Sequence, residues 1–400
     1  MLPRGFTTVW LLPVLAALML LTLGVMRQSD KVQQVWYQQT IADNMAISAA
    51  TLLAREMNLL AIMNRALLAN QLTTAQLVGI GSWLQMMRDV ADRSALISSW
   101  IPYLNAITRN IANAVRQVDF SVQQIIAATL AFQRLITTVL RTTQWYARVS
   151  FALQIPPTLQ QIYDLHAPRH KPAQVPQWEL LHAPGLVPVP WLWWTFMAPQ
   201  RSGSDNKLAY KLVVASLDPF SQQRSYEWFD AVQVEVEKAG GVRLIQEESG
   251  AWSWQGMDTV SVHVQGLLDS DEYPWGDGAT YFGSEIRKVH RKDFGYSGKT
   301  NPQATAWAQL QQHFYSHEKD IFRYFNRTDL SPSQWPQVIV RLPDATAKAG
   351  VAFSRPRRWF ARNDNKVEQA NLFNALWFSQ LLSLSQRDRA VLAIVGRQDG

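Results

Sequence analysis

The chain contains no cysteine. Disulfides, thiolate nucleophiles and Cys-held zinc or iron–sulfur centres are therefore excluded, and the redox compartment stays open. Charge is also sparse: Asp, Glu, Lys and Arg make up 17% of 400 residues, against about 25% in an average soluble domain. The net charge of +7 is spread thinly along the sequence. No dense Lys/Arg run exists. The nearest, Arg355-Pro356-Arg357-Arg358, is short and flanked by apolar residues, which argues against nucleic acid as a partner. The Gly-x-Ser-x-Gly elbow, the phosphate-binding Gly-x-x-x-x-Gly-Lys loop and the Gly-x-Gly-x-x-Gly turn are all missing. No catalytic, cofactor-binding or metal-binding residue and no small-molecule substrate is expected on this basis.

What is abundant is apolar. Residues 4–26, RGFTTVWLLPVLAALMLLTLGVM, carry one charge and then about twenty apolar or small residues. A helix of that length spans roughly 30 Å, the thickness of a bilayer's hydrocarbon core. Secretory peptides have a shorter apolar region and end in small residues at a cutting site, for which Thr22-Leu23-Gly24 is a poor match. The expectation is a retained membrane anchor over 1–27. Pro13 is compatible with this, because neighbouring groups in lipid can satisfy the carbonyl it frees. Arg4 stands on one side of the run and Arg27 and Lys31 on the other, so the positive-inside rule assigns no orientation.

Residues 28–155 read as long helices, with Gly only at 79 and 81 and Pro only at 102. Met45, Ala49, Leu52, Leu59, Met63 and Leu67 recur on one helical stripe. Glu56 falls on that stripe, where a partly exposed carboxylate paired with a neighbouring arginine is expected, the alternative being a buried functional acid. Gly79, Gly81 and Pro102 mark expected bends. Ile125, Leu130, Ile136 and Leu140 suggest another amphipathic helix, completing an antiparallel pair or bundle.

Prolines then recur over 156–200, which reads as a linker or an irregular segment over a surface. Trp191, Trp193 and Trp194 close it and are expected to pack under a domain edge or to form an exposed platform. The remainder, 201–400, reads as α+β with an antiparallel sheet. Its strand candidates are Leu208–Leu217, Val232–Glu237, Val242–Glu247, Thr259–Gly266, Gln337–Leu342 and Val391–Val395, and its helix candidates Thr305–Phe325 and Val367–Ser383. Three metal-like patterns are incomplete. His313 and His317 lie four apart, but Phe314 stands where a zinc protease has its glutamate. The acidic stretch Asp269–Asp277 has Pro274 where a calcium loop needs Gly, so a solvated turn is expected. Asp329-Leu330-Ser331-Pro332-Ser333 has the Asp-x-Ser-x-Ser form of an adhesion-type metal site but follows a helix-like segment.

Two stretches matter together with the N-terminus: Ala42–Ala50 with Ala54-Arg55-Glu56-Met57-Asn58, Asn64-Arg65-Ala66 and Ala69-Asn70; and Phe353-Ser354-Arg355-Pro356 with Ala370-Asn371-Leu372-Phe373-Asn374-Ala375-Leu376-Trp377. With Arg4-Gly5-Phe6 and Leu12-Pro13-Val14-Leu15, this pattern resembles the TadE/TadG-like proteins of Flp (Tad-type) pilus assembly. The resemblance is strongest over residues 1–90 and returns around 350–380. It implies a single-pass inner-membrane anchor and an extracytoplasmic body, with a non-enzymatic accessory or minor pseudopilin-like role whose partners are the lipid bilayer and pilus or secretion assembly proteins. It also implies possible prepilin-peptidase cleavage between Gly5 and Phe6. Pilin-type leaders carry a Glu at the fifth residue after the cut, where this chain has Trp10. The expected interaction residues are Glu56, Asn64, Arg65, Asn70, Trp191, Trp193 and Trp194. The competing readings are an extracytoplasmic sensor or ligand-binding membrane protein using the Trp-rich half, and a tethered hydrolase using His313, His317 and Glu318.

Overall fold

A computed structural model describes residues 6–97, 102–166, 178–182, 213–224, 226–231, 234–246, 252–265, 272–282, 285–289, 335–355, 359, 370 and 372–395. Its spine is a single helix, α1 (Phe6–Ile97), of 92 residues, about 140 Å long at 1.5 Å per residue. The apolar run is the first part of this helix, and no break separates it from the body at residue 27. Gly79 and Gly81 are also helical, so neither bends the chain. Pro102 opens the second helix, α2 (Pro102–His166), at the position where a missing amide costs nothing. This helix runs through Pro156 and Pro157, so residues 156–166, expected in the linker, are helical.

The two helices form an antiparallel hairpin. Arg116 pairs with Asp92, Arg88 with Asp119, and further along Arg148 with Glu56. The hairpin closes where the Tyr37 hydroxyl donates to the His166 carbonyl.

Two antiparallel sheets lie on α1. One contains β1 (Glu179–His182), β7 (Gln337–Leu342), β8 (Ala345–Phe353) and β9 (Trp377–Leu382) in that spatial order. The other is a meander of β2 (Tyr226–Ala231), β3 (Val234–Gln246), β4 (Trp252–Gln265), β5 (Glu272–Phe282) and β6 (Glu285–Val289). A short helix, α3 (Pro219–Gln222), precedes β2, and α4 (Gln386–Val395) follows β9. The α+β class and the antiparallel pairing match the expectation from sequence, but the strands form two sheets where one was expected, and β1 comes from the expected linker.

Small residues set how closely the sheets approach the helix. Ala42, Ala46, Ala49, Ala50 and Ala54 of α1 share a buried core with Ala345, Ala347 and Ala349 of β8. A second core joins Leu67, Ala75 and Val78 of α1, Ile126 and Leu130 of α2, and Val242, Leu244 and Trp254 of the meander. At the meander, Gly256 faces α1 so tightly that a Cβ there would lie 2.8 Å from Ser82 Oγ and 2.9 Å from the Val78 carbonyl.

Several expected elements differ. Gln337–Leu342 is a strand as read, and the described residues of the expected strands Val232–Glu237, Val242–Glu247 and Thr259–Gly266 fall within β3 and β4, the first two being parts of one strand. Residues 213–215 are helical where Leu208–Leu217 read as a strand. Asp218 caps α3 there by accepting from the Ser221 amide at 3.1 Å, and Pro219 is pre-set for the first turn. Val391–Val395 is helical, because Ser385 and Asp388 form a reciprocal cap that starts α4. Residues 377–382, read as part of a helix Val367–Ser383, are β9, paired with β8. Glu272–Asp277, expected in a solvated turn, belong to β5, with Pro274 opposite His263. Of the second-helix stripe, Leu130 is buried but Ile125 faces outward. Thr305–Phe325 lies outside the described residues.

Candidate functional site: a buried polar seam in the hairpin

The interface between α1 and α2 is polar along much of its length. From the tip inward, the Gln123 side-chain amide donates to the Gly81 carbonyl at 3.1 Å. Asn70 then donates to the Gln133 carbonyl at 2.9 Å and to Thr137 Oγ1 at 2.6 Å. Gln144 donates to Asn64 Oδ1 at 2.6 Å. Next comes the Glu56–Arg148 pair, 3.4 Å apart, with the Glu56 residue 2% exposed.

Glu56 is therefore buried, not partly exposed, and its arginine comes from the facing helix. Burial pushes its carboxyl up to about 7, against the opposing pull of Arg148. The same burial lowers Arg148, with Glu56 holding it up, and lowers Arg141. A carboxylate at that value is half protonated near neutrality, so this pair sits at the edge of ionisation.

The seam also binds the C-terminal strand. Asn58 Nδ2 donates to the Trp377 carbonyl at 2.8 Å and its Oδ1 accepts the Trp377 amide at 2.9 Å. One helix side chain thus imitates a neighbouring strand at the start of β9. Asn64 Nδ2 donates to the Leu372 carbonyl at 2.9 Å. Asn64 consequently ties α1, α2 and the segment before β9 together. Trp377 is buried edge-on against Trp335 and Phe353, with ring centroids 5.5 and 5.1 Å away. Asn58–Asn64 and Leu372–Trp377, far apart in sequence, meet here.

Of the expected interaction residues, Glu56, Asn64 and Asn70 come together in this seam, whereas Arg65 is on the exposed side of α1. Buried as they are, the first three hold the fold's internal joints and offer no surface to a partner. Trp191, Trp193, Trp194 and Gly5 lie outside the described residues, and Phe6 is the first residue of α1. The histidine pair at 313 and 317, Glu318 and the Asp329–Ser333 motif are likewise outside them.

Sequence reasoning missed a second charged site, where the meander meets α1. Asp258 of β4 accepts from Arg224 Nε at 2.8 Å, Arg224 Nη2 at 2.7 Å, Lys238 Nζ at 2.7 Å and the Ser82 hydroxyl of α1. Lys238 also donates to the Arg224 carbonyl at 2.9 Å, and Arg224 to those of Phe220 and Gly241. All four side chains are buried. Burial pulls the Lys238 ammonium below its usual range, against the stabilising Asp258 carboxylate. Gly240 makes room for the arrangement, since a Cβ there would fall 2.2 Å from Asp258 Oδ1. The signal in sequence was weak: three charges spread over 35 positions, Lys238 and Asp258 at the edges of expected strands and Arg224 in no expected element.

No protein-family model, curated protein or solved structure matches the chain.

Proposed function

We propose that this protein is a non-enzymatic, single-pass membrane component of an Flp/Tad-type pilus or related secretion assembly, with its body on the extracytoplasmic side of the inner membrane. The observation that carries the reading is the start of α1: Leu11, Leu12, Leu15, Leu18, Leu20 and Leu21 are all exposed on a helix that continues unbroken into the body. A bare apolar helix of this length suits lipid. Its rigid continuation holds the two sheets at a fixed distance from the bilayer. The resemblance of residues 1–90 and 350–380 supplies the pilus assignment, and the contact between those two stretches, Asn58 on Trp377 and Asn64 on Leu372, supports treating them as one unit.

The test is purification of the tagged full chain from native membranes in mild detergent, with co-purifying proteins identified by mass spectrometry. Pilus platform, secretin or pilin proteins are the expected result. Recovery of a small ligand or of unrelated receptors alone would refute the assignment and favour a sensor.

A further inference from the structure

The outer face of α2 carries a row of large apolar side chains that no described element covers. Val118, Ile125, Phe132, Val139, Tyr146 and Leu153 follow one another at intervals of seven, and each is more than half exposed. Leu135 and Val149 fill intervening positions three residues after Phe132 and Tyr146, and both are exposed. The row of a positions of a coiled-coil seam is thus apolar over 36 residues, and the d positions mix large apolar Leu135 and Val149 with the small Ser121, Ala128 and Thr142. The face against α1 lies at other positions of the same repeat, where Asp119, Ile126, Leu130 and Gln144 are buried. The seam stops where Pro156 occupies the next d position.

We propose that this seam pairs two copies of the chain, α2 against α2. A repeat of 3.5 residues over this length fits a helix and nothing flatter. The flanking e and g positions choose the partner in coiled coils through their charges. Here they are Val122, Thr129, Ile136, Thr143 and Ser150 on one side and Gln117, Gln124, Ala131, Thr138, Trp145 and Ala152 on the other, without a single charge. Such a seam neither repels its own copy nor demands a partner of opposite sign. A standard specific interface takes about 800 Å² from each partner, and the eight large apolar side chains of this row, each exposed, are the surface available for it. Lipid suits this face less well. At its level α1 carries the meander, and open sheet edges do not enter hydrocarbon. If both copies are anchored in one membrane, as proposed above, the two α2 helices run parallel and in register.

The absence of cysteine makes the test direct. Ala128→Cys and Thr142→Cys place single thiols at exposed d positions, and Ala127→Cys places one at an exposed position off the seam. Full-length protein in mild detergent is oxidised and its disulfide-linked dimer quantified. The proposal expects same-position cross-linking at 128 and 142 several-fold above that at 127. It also expects a dimer by light scattering that becomes a monomer in Phe132→Glu/Val139→Glu, whose helical content stays at the wild-type value and whose melting temperature no longer depends on protein concentration. A dimer that the double variant disrupts but that fails to cross-link at either d position would keep the pairing and overturn the shared orientation. Equal cross-linking at 127 and 128 would overturn the seam. A wild-type monomer would overturn the pairing outright. Shielding of the 128 thiol from maleimide in that monomer would then assign the face to another part of the same chain, and shielding only in lipid vesicles would assign it to the bilayer.

Discussion

Glu56→Gln isolates the ionisation of one buried carboxyl. The folded protein raises this group from 4.5 to about 7, a difference of about 3 kcal/mol at 1.36 kcal/mol per unit. A folded-state value above the unfolded one means that folding takes up a proton between these two pH values. The contribution is therefore fully present below about pH 4.5, falls as pH rises and is lost above about pH 7. Glutamine keeps the shape and removes the titration. Arg148, paired at 3.4 Å, remains charged throughout this range, and its attraction for the ionised carboxyl is already contained in the raised value; the constant offset is the difference between a neutral carboxyl and an amide in the same site. The measurement is denaturant unfolding of the full chain in mild detergent at pH 4.5, 6 and 8, followed by tryptophan fluorescence. Stability of wild type minus variant should fall by about 3 kcal/mol across the range, because every other titrating group cancels in the subtraction. A difference that is flat to within about 1 kcal/mol would show that water reaches the carboxyl and that burial does not govern it.

Two further perturbations address the joint between meander and helix. Asp258→Ala leaves Arg224 and Lys238 buried without the carboxylate they share, and a loss of about 3–5 kcal/mol is expected. Hydrogen exchange should show faster exchange of β3 and β4 while the hairpin segment around Glu56 stays protected; uniform loss of protection would refute a local joint. Gly256→Ala forces the new methyl against Ser82 Oγ and the Val78 carbonyl at under 3 Å. A cost of about 1–3 kcal/mol is expected, read as a lower melting temperature, and an unchanged one would show that sheet and helix separate freely.

How much of this was legible follows from where the signal is local. The long helices were, because more than a hundred residues nearly free of Gly and Pro have few alternatives, and Gln337–Leu342 was, as a β-branched run bounded by Pro336 and Pro343. Trp377–Leu382 was not: its alanine- and asparagine-rich approach looks helical, and only pairing with β8 and the grip of Asn58 make it a strand. Val391–Val395 could have been read correctly, since Ser385 and Asp388 are spaced as a capping box. Gly79 was legible as unusual but not as to why. A Cβ there would meet Arg224 Nη1 at 2.8 Å, so glycine serves the approach of the meander and not a bend. The partner of Glu56 could not be named, because choosing Arg148 from the arginines of α2 requires the hairpin's register.

That register is what the polar seam specifies. Leucine, alanine and methionine packing tolerates a slide of one turn between two long helices, because apolar contacts carry no direction. Asn64 cannot slide: it must meet Gln144 on one side and the Leu372 carbonyl on the other. A shift of one turn, about 5.4 Å, would strand both groups in a buried site, at about 1–3 kcal/mol for each one left unpaired. The Glu56–Arg148 pair adds to this selection, since a displaced Arg148 would be buried without its carboxylate. With register fixed, the seam on the outer side of α2 is held at one height along α1. Two copies anchored by the same first turns then present their seams at matching heights.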